Sequence, residues 1–234
     1  MTLRAILVLL AALAFAVSPF FVPGFGGYDP TQFPNPIENP SVQPAGYAFS
    51  IWGLIYLWLI AMAGYGVWAR RDDAAWDATR VPLLLSLVVG AAWLAVAVAS
   101  PIWATLLIWV MLGGALWALI RTPEADLWWL RAPIGLYAGW LTAASSVSIG
   151  LLAAGWGWPP FGEAGWAIAA LSIGLAIAVA MLRIRASLMY GAAVVWALIA
   201  VTVRNGFDLV GIFAAGAAVA VALLTLAALR AARA

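Results

Sequence analysis

The sequence lacks three residue types altogether. It has no cysteine, no histidine and no lysine. Without cysteine there are no disulfides and no thiol nucleophile, and without histidine the common zinc sites and the imidazole general base are also lost. Charge is scarce as well. Only 9% of the 234 residues are Asp, Glu, Lys or Arg, against about 25% in a soluble domain. Every cation is an arginine, and the arginines are scattered rather than clustered, so the formal charge of +2 is no nucleic-acid footprint. There is no metal-ligand cluster and no acid/base set that would mark an enzyme. "GFGG" at 24 to 27 follows no strand and opens no phosphate-binding helix, so it is loop.

What remains is apolar. Hydrophobic residues make up 67% of the chain, more than a soluble core can hide, so the sequence predicts an all-α, polytopic membrane bundle. A spanning helix takes about 20 apolar residues. Eight such runs occur, at roughly 3–22, 46–69, 81–99, 102–120, 133–155, 165–183, 187–203 and 208–229. They do not alternate in the manner of barrel strands. The first has some features of a signal peptide but is taken as a retained helix.

Eight spans place ten arginines on one side, namely Arg4, Arg70, Arg71, Arg80, Arg121, Arg131, Arg183, Arg185, Arg230 and Arg233. Arg204 alone falls on the other. The positive-inside rule then sets both termini in the cytoplasm, with the protein in the inner (plasma) membrane. The lipid bilayer is thus its first partner. Residues 23–45 form a long outer loop with no cation and six prolines, which exclude regular helix. Phe25, Tyr28, Phe33 and Ile37 give this loop apolar material to pack down, so it is expected to act as a lid. "GWGWPPFGEAGW" is a second aromatic outer loop. Beyond these, Arg204 and Asp208 are expected either to pair, with Asp208 at a helix N-terminus, or to latch the outer loops.

Tryptophan is abundant, with 15 residues. Trp76, Trp128, Trp129, Trp156, Trp158 and Trp166 lie at span ends and suit an interfacial belt. Trp52, Trp93, Trp109, Trp140 and Trp196 lie inside spans, where a belt does not explain them. On span two, Phe49, Trp52 and Tyr56 share one face by helical spacing, while Trp58 looks to lipid. On span five, Tyr137, Trp140 and Ala144 share a face, with Thr142, Ser145, Ser146 and Ser148 around the helix. The two faces could wall a pocket for a flat apolar ligand, or be helix packing with hydroxyls bonded to backbone. Gly113, Gly114, Gly211 and Gly216 are expected at close helix contacts.

Pro44, Gly46, Phe49, Trp52 and Tyr56 resemble the second-helix signature of the tryptophan-rich sensory protein/translocator protein family, once called the peripheral benzodiazepine receptor. Trp93 is similar to that family's third-helix Trp. Pro133, Tyr137 and Trp140 resemble the start of its last helix. The chain departs at Tyr47, where Trp is common, in the Phe49–Trp52 step, one residue short, and at Ser148, where Asn is frequent. Family members typically have five helices, and the wording here is closer to a longer bacterial branch.

The resemblance covers roughly 1–155 and implies a five-helix core with lid 23–45, leaving 156–234 as three added helices. It implies a cavity that binds porphyrins, sterols or other flat apolar molecules, with Phe49, Trp52, Tyr56, Trp93, Tyr137 and Trp140 as ligand-binding positions. The leading reading is a receptor or carrier for a tetrapyrrole or isoprenoid, its cavity between spans two, three and five. A bound tetrapyrrole, carotenoid or lipid would be the cofactor. Two alternatives stand beside it. One is an accessory subunit of a larger, pigment-containing membrane complex, or a homo-oligomer. The other is a secondary transporter, for which inverted repeats are expected and none stands out.

Overall fold

The computed structural model describes residues 1–22 and 27–232. Phe25, most of the "GFGG" stretch and Arg233 lie outside the described residues. Among those described there are eight α-helices long and apolar enough to cross a membrane, and no strand. They are α1 (Thr2–Val17), α2 (Ile51–Trp68), α3 (Ala74–Ala99), α4 (Pro101–Ile120), α5 (Ala132–Gly155), α6 (Glu163–Ile184), α7 (Leu188–Asn205) and α8 (Leu209–Ala231). The protein is a polytopic helical bundle. Internal i→i−4 bonds satisfy the backbone within lipid, as a spanning helix requires.

The helix starts follow capping chemistry. Ser100, Ser187 and Asp208 accept from the backbone N–H three residues on, at the mouths of α4, α7 and α8. The sequence reading starts the third span at 81, which keeps Pro82 in a first turn. In the structure Asp73 Oδ1 accepts from the Ala75 and Trp76 amides at 2.8 and 3.3 Å, and α3 begins at Ala74 with Pro82 inside it. A capped N-terminus two turns upstream outweighs the bond that the proline removes. Ahead of α5 the chain makes a π-helical turn, Leu127–Arg131, after Asp126 in the left-handed region at φ 57°.

Helix adjacency describes two rings. α1 lies against α2 and α3, α3 against α4, α4 against α5, and α5 closes the circuit on α2. On its other side α5 meets α6 and α7, both of which pack on α8. α5 therefore belongs to both rings and is 78% buried over its most apolar window, where every other span is at most half buried. Small residues permit this. A Cβ on Gly139 would collide with the Tyr190 carbonyl of α7, and one on Gly174 of α6 would stand 2.8 Å from Ser146 Oγ. Of the glycines expected at contacts, Gly114 is one, since a Cβ there would stand 2.7 Å from the Pro82 carbonyl. Gly211 instead abuts the loop before its own helix, and Gly113 and Gly216 face open space.

The described arginines other than Arg204 gather at one end of the bundle, many in polar contacts. Arg4 pairs with Asp77 at 2.7 Å, Arg70 with Asp126 at 2.8 Å, and Glu124 takes both Arg131 and Arg185. Arg80, only 4% exposed, donates to the Arg70 and Arg71 carbonyls that turn α2 into α3. Two tryptophans depart from expectation here. Trp76 is 3% exposed rather than interfacial, because its indole N–H reaches Asp126 at 2.9 Å. Trp58 stacks on Trp128 and donates to its carbonyl at 3.1 Å, so the π-turn covers the ring that the spacing assigns to lipid.

Candidate functional site: an aromatic chamber under a bonded loop

The opposite end carries the long loop. Its described part, 27–45, is fastened to four helices. Gln32 Nε2 donates to the Val98 carbonyl of α3 at 2.8 Å, and the Asn35 amide to Gly155 of α5 at 2.9 Å. Ser41 donates from its amide and its hydroxyl to Glu163 of α6, both at 2.7 Å. Asn205 of α7 donates to the Ser41 carbonyl at 2.8 Å, and the Ala45 amide to Ala200 at 3.1 Å. Arg204 donates to Asn39 Oδ1 at 2.9 Å. Among the described residues Arg204 and Asp208 form no ion pair, so of the two expectations the latch is observed and the pair is not. Asp208 caps α8 through the Gly211 amide at 2.8 Å, as a carboxylate at a helix N-terminus should. Phe33 lies against Trp156 and over Gly155, and Val42 over Gly150, so the loop packs down through apolar side chains as well.

Beneath it lies an apolar chamber of about 240 Å³, bounded by Phe15, Pro19 and Val22 from the first span and Phe49, Trp52 and Tyr56 from the second. Trp93 and Leu94 of α3, Ile108 of α4, and Trp140 and Ala144 of α5 complete the wall. A smaller chamber of about 60 Å³ adjoins it directly under the loop, sharing Phe49, Trp93, Ile108, Trp140 and Ala144 and adding Gly27, Tyr28, Gln43 and Pro44. Burial pushes the Tyr28 phenol above its ordinary value. It therefore stays neutral over this chamber.

Five of the six sequence-predicted positions line the larger chamber. Trp52 and Tyr56 stack at 5.3 Å with planes 18° apart, and Phe15 stands edge-on to both at 5.6 and 5.0 Å. Trp140 meets Phe49 and Trp52 edge-on at 5.9 and 6.1 Å. The sixth, Tyr137, is displaced behind the wall. It is fully buried and bonded to Ser86 at 2.9 Å; since Ser86 gives its proton to the Met111 carbonyl, the tyrosine is the donor. It supports Trp52 and Phe15 from behind. Trp93 is both wall and brace, its indole N–H donating to the Ala104 carbonyl at 2.8 Å.

Trp140 differs. Its side chain is 98% buried (2% exposed), and its indole N–H has no partner. A buried donor left unpaired costs about 1–3 kcal/mol, so this N–H is the unsatisfied polar group among the rings of the wall. The α5 hydroxyls, by contrast, are bonded. Thr142, Ser146 and Ser148 donate to carbonyls one turn back, and Ser145 reaches Ile108 across the helix gap, which is the packing alternative.

The spacing of aromatics on α2 and α5 marks one side of the chamber. Phe15, Pro19, Val22 and Ile108 were not marked. Phe15, the one aromatic within α1, carried a usable signal, whereas Ile108 sits in a uniformly apolar run. The described residues hold no group of His, Cys, Asp or Glu fit to bind a metal. The wall of the chamber is mostly apolar and aromatic.

Neither the curated proteins nor the solved structures contain a match to this chain. A family model described as TSPO-like protein does match, over residues 3–229, so it runs through all eight spans and past the 1–155 stretch that carries the sequence resemblance. With eight spanning helices and a match over nearly the whole chain, this multi-pass membrane protein belongs to the TSPO-like protein family.

Proposed function

We propose that this protein is a membrane receptor or carrier that holds a flat hydrophobic molecule, a tetrapyrrole or an isoprenoid, in the chamber between α1, α2, α3, α4 and α5. The observation that carries the reading is Trp140: a buried, unpaired indole N–H set in a wall of aromatic faces. Ligand sites are mostly apolar with a few placed polar groups, and a ligand carbonyl or carboxylate would satisfy this donor. The chamber is smaller than the about 300–1,000 Å³ usual for such sites. A tetrapyrrole therefore needs the loop or α1 to yield, whereas a slender isoprenoid chain does not. On this reading residues 1–155 form the ligand-holding ring and 156–234 buttress it. The positive-inside rule assigns the arginine-rich end to the cytoplasm of a bacterial inner membrane, with the loop outside.

The test is a titration of the purified full chain with protoporphyrin IX and with a polyisoprenol, followed by absorption for the first and native mass spectrometry for the second. Trp52→Ala and Trp140→Ala should each weaken the binding ligand about tenfold, equivalent to about 1.4 kcal/mol, with helicity unchanged. Unaltered affinity in both variants removes the assignment.

A further inference from the structure

At the arginine-rich end, away from the chamber, a cleft of about 560 Å³ opens between the last turn of α6, the last turns of α8 and the α4–α5 connection. Its rim holds Arg131, Arg183 and Arg185 with Glu124 as the single acid, and its floor is apolar, built by Leu182, Leu224, Ala227 and Ala228. Three cations meet one carboxylate, so the rim carries a surplus of two positive charges.

The partners of these arginines leave room for an anion. Arg131 is 7% exposed; it reaches Glu124 at 2.9 Å through Nη2, while its Nε is buried without a partner. Arg185 holds the other Glu124 oxygen at 2.6 Å and donates to the Thr122 carbonyl. Arg183 makes no ion pair or hydrogen bond among the described residues and is exposed. Burial first, and the neighbouring Arg131 second, depress the Arg185 guanidinium below its ordinary value against the pull of Glu124. Next to the cleft Ile184 is 62% exposed, and on α8 Leu223 and Leu226 are 62% and 50% exposed, so the apolar floor continues onto the lipid-facing surface.

We propose that this cleft is a binding site for one two-chain phospholipid with an anionic phosphate headgroup, the phosphate between Arg131, Arg183 and Arg185 and an acyl chain along Leu224 and Ala228. Basic recesses between spanning helices recognise anionic lipid headgroups in this way. The orphan Arg131 Nε gains an acceptor, and the surplus of rim charge matches an anion. The apolar floor distinguishes a lipid from free phosphate, which would use the rim alone.

Native mass spectrometry of the full chain in mild detergent tests this, with phosphatidylglycerol as probe and phosphatidylcholine and inorganic phosphate as comparisons. One phosphatidylglycerol should be retained per chain in preference to phosphatidylcholine. Arg183→Gln, at an exposed and unbonded side chain, should lower that affinity about fivefold, the effect of about 1 kcal/mol per arginine near an anionic headgroup. Arg121→Gln, at the same membrane end but outside the cleft, should leave it unchanged. Ala228→Trp, which fills the floor, should remove the lipid adduct. Equal retention of the two lipids overturns the proposal. So does displacement of phosphatidylglycerol by equimolar inorganic phosphate, which would make the site one for the free anion, and so does an Arg121→Gln effect as large as that of Arg183→Gln.

Discussion

Arg204 and Asn39 stand 165 residues apart in the chain, yet the guanidinium donates to the Asn39 side-chain oxygen across 2.9 Å. The bond ties the end of α7 to the loop over the chamber. With the adjoining Asn205–Ser41 bond it makes α7 the main polar anchor of the loop's second half.

Loosening that anchor should free the loop without unfolding the bundle. Each hydrogen bond contributes about 0.5–1.5 kcal/mol. Arg204→Ala with Asn205→Ala should therefore speed amide exchange of the Ala45 N–H, which donates to Ala200, by roughly fivefold or more. Hydrogen-exchange mass spectrometry of the 27–45 peptides reads this directly. Exchange unchanged from wild type would mean that the bonds of Gln32, Asn35 and Ser41, with the packing of Phe33 and Val42, hold the loop without these two side chains.

Ala144 lines both chambers, one turn beyond Trp140. Ala144→Phe should fill the shared wall and abolish ligand binding, because the added ring takes up space that a ligand would use. The protein should stay folded, since the space is already empty. Binding by absorption or mass spectrometry, with circular dichroism as the folding control, decides it; retained affinity would place the ligand elsewhere.

The α5–α7 contact depends on a missing methyl group. Gly139→Ala drives a Cβ into the Tyr190 carbonyl and should cost about 1–3 kcal/mol, as overpacking does. Gly113→Ala meets nothing within 4 Å and should be neutral or slightly stabilising, since alanine is the better helix former. Thermal unfolding of the two variants in one detergent gives the comparison, and a similar loss in both would remove the contact as the cause.

Acid should weaken the arginine-rich end. The Arg70 hydrogen bond, with help from the Trp76 indole, holds the Asp126 carboxyl below its usual range. A depressed carboxyl contributes stability that is present above its unfolded value of about 3.9 and is lost as pH falls through its folded value. Asp126→Asn should thus lower the melting temperature at pH 7 by about 2–4 °C, the response of a chain this size to roughly 1 kcal/mol. It should also flatten the dependence below pH 4. A wild-type slope retained in the variant would assign the acid response to Glu124 or another group.

The span count was legible because lipid demands an apolar run about as long as the bilayer is thick, and each of the eight runs meets that demand separately. The neighbours of each span were not. α5 carries Thr142, Ser145, Ser146 and Ser148 and reads as an ordinary span, yet it is the most buried of all. Its small and hydroxylated residues are there to admit helices on every side, which is visible only once those helices are placed. The aromatic spacing on α2 and α5 located the chamber, but the same spacing could not say that Tyr137 turns to Ser86 while Trp140 turns inward. That difference rests on one hydroxyl on α3. Trp76 and Trp58 were misjudged for a related reason: an indole near a span end meets headgroups unless a partner such as Asp126 or the Leu127–Arg131 turn covers it.

Because α5 is common to both helix rings, it acts mechanically as a party wall. Trp140 and Ala144 face the chamber from it, while Gly139 seats it against Tyr190 of α7. A tilt of α5 that widens the chamber must carry α7 along or break that seat. Since α7 also bears Arg204 and Asn205, enlarging the room and unlatching its cover are coupled displacements of the same two-helix block.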